Sequence, residues 1–308
     1  MSDELDKSIL KIPILGYLAV KARRIILPTT EGFSLYELLK LYVVGIIKGA
    51  FSSRASAIAF SFFIAIFPFL LFVLNLIPFI TFIENFQEEL LSFIEDLLPP
   101  QTSSFFNEIF YDIANNPRAG LLSFVFILSI ILMSNGVNAI FSSFEYSYHT
   151  TLNRSIIMQY LVAMGVAIII AILLLVTVIS TIYLSYTIEN LKELGFTLDD
   201  LYWIKMGRYA ILIVMLFLGI SIVYFFGTRE SKHSRFFSVG SIFTTILIIL
   251  TTVLFSAYIE NFASYNKLYG SIGALLIILL YIWLNSNILL LGFELNASIV
   301  KLRKKNEE

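Results

Sequence analysis

The chain has no cysteine, which excludes disulfides, thiolate metal sites and a cysteine nucleophile. Histidine is almost as scarce. His149 and His233 stand alone in separate loops, so no histidine cluster is available to hold a catalytic metal. No Walker-type phosphate loop occurs, so nothing in the chain is built to hydrolyse a nucleotide. Neither a repeat of about 20–50 residues nor a low-complexity tract is present. Charged residues make up only 14% of the chain, against an average of about 25% for soluble domains.

Apolar residues fill the gap. They account for 58% of the 308 residues, and the mean hydropathy is +0.86. Phe and Tyr are abundant, at 29 and 16 copies, as suits rings placed in cores and at membrane interfaces. The N-terminus, MSDELDKSILK, is acidic and polar and does not read as a cleaved signal peptide.

A bilayer core takes about 20 apolar residues per helix. Six runs qualify: Ala55–Ile80, Leu121–Ser142, Met158–Leu184, Tyr209–Phe226, Phe236–Tyr258 and Ile272–Ser298. The expected fold is therefore all-α, a polytopic membrane protein with six transmembrane helices. If the spans alternate, Lys7, Lys11, Lys21, Arg23, Arg24, Lys40, Lys48, Arg54, Arg154, Arg229, Lys232, Arg235, Lys301, Arg303, Lys304 and Lys305 share one side. Only Arg118, Lys192, Lys205, Arg208 and Lys267 lie opposite. The positive-inside rule then puts both termini in the cytoplasm. The chain divides into a cytoplasmic segment 1–54, a six-span domain 55–300 and a basic tail 301–308.

Two flanking regions are amphipathic. Tyr36–Ala50 is apolar but too short to cross; it reads as a helix on the cytoplasmic face or packed beneath the bundle. The outer loop 81–118 spaces Phe86, Leu90, Phe93, Ile94, Leu97 and Leu98 as one helical stripe, with Glu84, Glu88, Glu89, Glu95 and Asp96 off it. Pro99 and Pro100 end that stripe, and a second apolar piece runs to Asn115-Asn116-Pro117. Such an acidic face is either simply solvated or docks a basic envelope partner.

The central parts of the spans contain no Asp, Glu, Lys, Arg or His, which argues against a proton relay. They do carry neutral polar groups in rows. Asn135, Asn138, Ser142 and Glu145 share a face of span two, and Ser241, Thr244, Thr245, Thr251 and Thr252 form a hydroxyl stripe on span five. Trp283, Asn287, Leu290 and Glu294 share a face of span six, with Asn285 and Ser286 nearby. On span one, Ser61, Pro68 and Asn75 repeat every seven residues, and Pro68 should free the carbonyl of Ile64. Each residue alone reads best as a packing contact between helices. Taken as a set, Ser61, Pro68, Asn75, Asn135, Asn138, Ser241, Thr244, Asn285, Asn287 and Glu294 are expected to line a polar cavity. At 1.5 Å per residue, a span entering at Ala274 leaves the roughly 30 Å core near Phe293. Glu294 then falls at the inner interface, as a carboxylate that ties span six to a cationic group or a helix N-terminus, or else as a polar contact at the cytoplasmic mouth of a groove, the structural role being favoured. Lys301 is on the same face, seven residues on.

The stretch YGSIGALLIILLYIWLNSNILLLGFELNAS resembles the signature of the YihY/virulence factor BrkB family of bacterial inner-membrane proteins. The carriers are Tyr269-Gly270-Ser271, Gly273-Ala274, Tyr281-Ile282-Trp283 and Leu291 through Ala297. Arg54 through Phe60, with Pro68 downstream, is similar to the family's first span. Tyr224–Gly240 resembles its fourth loop, with Gly227 where the family has a proline. The resemblance implies six helices and no settled activity. The family once carried a ribonuclease BN-like label, which the missing ligand cluster does not support. The sequence therefore points to a non-enzymatic membrane protein without cofactor or nucleic-acid partner. It would handle or translocate lipid or another amphiphile. The alternative is a scaffold that recruits an envelope protein through the acidic outer loop.

Overall fold

The computed structural model describes residues 34–76, 122–147, 154–193, 200–228, 235–261 and 271–307, together with Lys21, Arg24, Ile25, Phe86, Glu88 and Leu90. The described residues form seven helices. These are α1 (Leu35–Lys48), α2 (Phe51–Leu76), α3 (Leu122–Glu145), α4 (Ile156–Glu193), α5 (Asp200–Gly227), α6 (Val239–Asn261) and α7 (Ser271–Glu307). Helices α2 to α7 each contain a stretch long and apolar enough to cross a membrane, six in all.

Helix α1 starts at a capping box. The Ser34 hydroxyl accepts from the Glu37 amide at 3.3 Å, and the Glu37 carboxylate accepts from the Ser34 amide at 2.9 Å. Only Gly49 and Ala50 separate α1 from α2. Ala50 has a φ of 47°, the single non-glycine positive φ among the described residues. Helix α2 begins at Phe51, four residues ahead of the expected Ala55, and stays helical on both sides of Pro68.

The six spans close into a ring in chain order: α2 packs on α3, α3 on α4, α4 on α5, α5 on α6, α6 on α7, and α7 returns to α2. Each seam has its own chemistry. On the α2–α3 seam, Gly136 brings α3 against Ala65 and Phe62, and Phe72 stacks on Phe126 at 5.0 Å. The α6–α7 crossing is tighter still. A Cβ on Gly292 would lie 2.9 Å from the Gly240 carbonyl and 2.5 Å from the Tyr224 hydroxyl, so only hydrogen fits there. The main core joins α2, α3, α4, α5 and α7, with Phe86 and Leu90 of the outer segment packed into it. Glu88 is exposed; the remainder of the acidic outer loop lies outside the described residues.

Helices α4, α5 and α7 overrun the expected spans. Helix α4 continues to Glu193, α5 begins at Asp200 and α7 runs to Glu307. Leu, Lys and Glu sustain a helix after hydropathy has fallen. Phe236 and Phe237, expected inside span five, precede the first residue of α6. The overhang of α7 has a partner. Leu38 of α1 is buried with Ile299 and Leu302, flanked by Leu41 and Leu295. Helix α1 therefore packs on the end of α7, beneath the bundle, and leaves Leu39, Val43 and Ile47 exposed on its other side.

Candidate functional site

Glu294 is fully buried, and its partner is Arg54 rather than Lys301. Arg54 Nη1 donates to Glu294 Oε1 at 2.8 Å. The same guanidinium donates from Nε to the Ser143 carbonyl at 2.8 Å and from Nη1 to the Gly49 carbonyl at 3.1 Å. Ser147 Oγ donates to Glu294 Oε2 at 2.9 Å. One ion pair thus joins the α1–α2 joint, the foot of α2, the end of α3 and α7. Arg54 is 6% exposed. Desolvating two charges is costly, and the pairing recovers that cost only with good geometry and further hydrogen bonds. Three such further bonds are present, to the carbonyls of Ser143 and Gly49 and from Ser147; Arg54 Nη2 has no hydrogen-bond partner among the described residues.

The other spans end at the same level. Arg154 Nη1 and Nη2 donate to the carbonyls of Phe226 and Thr228, at 2.6 and 3.0 Å. They cap the C-terminal end of α5, where orphan carbonyls favour a cation. The Arg154 amide donates to Glu145 at 3.1 Å. Gly227 closes α5 against the Phe144 ring, where a Cβ would collide, so a proline would not fit here. The Gly240 amide donates to Asn296 Oδ1 at 2.8 Å, and Asn296 Nδ2 donates to Ser238 Oγ at 2.8 Å. Phe144 stacks on Phe293 at 3.9 Å above the ion pair. Tyr42 of α1 lies close enough to feel Glu294: burial first, then that carboxylate's charge, push its hydroxyl up to about 12.

The expected cavity residues are divided among separate seams. Asn138 Oδ1 accepts from Gln159 Nε2 at 2.9 Å, and the same amide donates to Ser142 at 2.7 Å. Asn135 Oδ1 accepts from the Tyr160 hydroxyl at 3.2 Å, which also donates to the Ile131 carbonyl at 2.6 Å. The span-two row is therefore the α3–α4 contact. Ser241 and Thr244 are buried at the foot of α6. Thr244 shares a 2.6 Å hydrogen bond with Tyr224, whose hydroxyl donates to the Leu289 carbonyl at 2.6 Å. Asn285 and Asn287 donate to carbonyls of their own helix, Tyr281 and Trp283. Ser61 is half-buried and Pro68 buried on α2, on the face that carries Ala65 against α3. The Asn75 side chain lies outside the described ones.

Among the described residues of the spans, three polar side-chain pairs between helices are exposed: Asn135 with Tyr160, Thr252 with Tyr281 at 2.7 Å, and Trp283 with Ser56 at 3.3 Å. Asn135 is exposed near the middle of the stretch Phe126–Glu145. Tyr160, Gln159 and Arg54 were not among the sequence candidates. Gln159 and Tyr160, polar groups in the first turn of an otherwise apolar run, were the available signal for two of them. Among the described residues, no three His, Cys, Asp or Glu stand together as metal ligands would.

The virulence factor BrkB family matches residues 45–308. The ribonuclease-like protein YfkH of Bacillus subtilis is 30% identical over 259 residues, covering 83% of this chain and 92% of its own. A UPF0761 membrane protein of Psychrobacter is 22% identical over 268 residues, 86% of this chain. The chain spans about half the length of that relative, 48%. A UPF0761 membrane protein of Vibrio parahaemolyticus is 24% identical over 251 residues, covering 80% of this chain and 76% of its own. No solved structure matches the chain. With six membrane-length helices and a family match from the α1–α2 region to the last residue, the chain belongs to the virulence factor BrkB family of membrane proteins.

Proposed function

We propose that the protein resides in the inner membrane with both termini in the cytoplasm, and that it handles or translocates lipid or another amphiphile without nucleotide hydrolysis of its own. One observation carries this reading. Asn135 is exposed at mid-span, beside the hydroxyl of Tyr160. An amide facing hydrocarbon is costly and marks a functional position in a membrane span. Its side chain is exposed and its carbonyl oxygen accepts from the Tyr160 hydroxyl. The α3–α4 seam beneath is tied independently by Asn138, Gln159 and Ser142, so the exposed pair is not required to join the helices.

The ribonuclease-like name belongs to the Bacillus relative, and no ligand cluster in the described residues favours that chemistry here. The scaffold alternative rests on the outer loop 81–118, and no described contact favours it. The test is translocation of a headgroup-labelled phospholipid in liposomes, read by quenching the outer leaflet. The native protein should expose label beyond the outer-leaflet share. An Asn135→Leu/Tyr160→Phe variant should not, while eluting as a folded species. Full activity in that variant, or none in the native protein, refutes the proposal.

A further inference from the structure

We infer that the α1–α2 joint is a two-state switch, held bent by the Arg54–Glu294 pair and able to straighten into one continuous helix. Helices α1 and α2 are separated by two residues, and only one of these has a positive φ. Gly49, at φ −82° and ψ 16°, lies in the bridge region that adjoins the helical one. Ala50 alone, at φ 47°, occupies the left-handed region that an L-residue with a Cβ disfavours. Alanine is also the strongest intrinsic helix former. Left to itself the joint would relax, and Leu35 to Leu76 would run as one helix. A strained residue of this kind persists only where its surroundings over-determine it.

The surroundings that hold it are on α7 and α3. Arg54 grips the Gly49 carbonyl, Glu294 and the Ser143 carbonyl at once. Ser53 and the Arg54 amide both donate to the Ala50 carbonyl, at 2.8 and 3.2 Å. Below the joint, Leu38 is clamped on Ile299 and Leu302. Straightening would carry α1 off these leucines and isoleucine and expose the apolar end of α7. A buried ion pair contributes little net stability but is well suited to specifying one of two arrangements. The inference stands apart from the amphiphile reading, because its readout is a distance and involves no lipid movement.

The absence of native cysteine allows spin labels at Leu39→Cys on α1 and Lys301→Cys on α7, both exposed sites, in the full-length protein in liposomes. Electron–electron double resonance on the otherwise native chain should give one short distance. Arg54→Gln or Glu294→Gln should add a longer population. Leu39 lies 11 residues from Ala50, a lever of roughly 16 Å at 1.5 Å per residue, so the shift should be on the order of 10 Å. Adding Ala50→Gly, which removes the left-handed penalty, should return part of that population to the short distance. Ala50→Leu in the chain with its latch intact should raise the long population. A single native distance in folded Arg54→Gln, or a long population indifferent to Ala50→Gly, overturns the switch. If the latch variants fail to fold, an unchanged distance in Ala50→Leu does the same.

Discussion

Replacing Gly292 with alanine should destabilise the bundle more than its single methyl group suggests. The added Cβ would collide with Thr244 Oγ1 and lie 2.5 Å from the Tyr224 hydroxyl and 2.9 Å from the Gly240 carbonyl. The carbonyl belongs to the backbone of α6, so α6 and α7 must separate or the hydroxyls must leave. Overpacking of a closed contact costs about 1–3 kcal/mol. Displacing Tyr224 also breaks its bonds to Thr244 and Leu289, and an unpaired buried hydroxyl costs about 1–3 kcal/mol more. The expected loss is about 2–6 kcal/mol, a large part of a typical stability of about 5–15 kcal/mol. In thermal unfolding of the purified protein this should lower Tm by at least about 3 °C. Gly165→Ala is the matched control. It makes the same change in another span, with nothing within 4 Å of the new methyl. Helix propensity predicts unchanged or slightly raised stability there. Equal behaviour of the two variants would refute the close-packed crossing.

Arg54→Ala should cost about 3–5 kcal/mol, because it leaves the Glu294 carboxylate buried and unpaired, whereas Arg54→Met combined with Glu294→Leu should cost less than either single loss; a double-mutant cycle on thermal stability reads the difference. Arg154→Ala should speed hydrogen exchange over Tyr224–Thr228, since the last carbonyls of α5 lose both guanidinium donors, and Arg154→Lys should restore only part of the protection. Tyr42 should titrate near pH 12. With the folded value above the unfolded one, its contribution to stability is intact below about pH 10 and is lost between there and pH 12. The difference in tyrosinate absorbance between the native protein and Tyr42→Phe should therefore be missing at pH 10–11; its appearance at pH 10 would refute the burial of the Tyr42 hydroxyl, the larger cause of the shift.

The membrane-spanning helices were legible because hydropathy reports burial in lipid one segment at a time. Their ends were less so. Charges such as Lys205 and Arg208 stop a hydropathy run without stopping a helix, and α5 starts upstream of both. The partner of Glu294 was not legible for a different reason. Lys301 is a neighbour on the same helix face and could be found by periodicity, while Arg54 is 240 residues away, and no local pattern encodes that distance. The row Asn135–Asn138–Ser142 was correctly seen as one face, yet its role depended on Gln159 and Tyr160 across the seam. Gly240 and Gly292 carried a usable signal, since small residues in spans let backbones approach. Their pairing with each other still required the order of helices around the ring.

That order bears on how the protein is made. Five of the six seams of the ring join helices consecutive in the chain, so each span can dock on its predecessor as it enters the bilayer, with little loop entropy to overcome. The sixth waits for α7. Until the last helix arrives, Arg54 has no carboxylate and α1 has no surface to cover Leu38. A chain interrupted before residue 294 would therefore display an unpaired cation and a bare apolar helix at that end of the bundle. Those are features by which proteases and chaperones distinguish unfinished proteins from finished ones. The last ion pair to form also closes the ring.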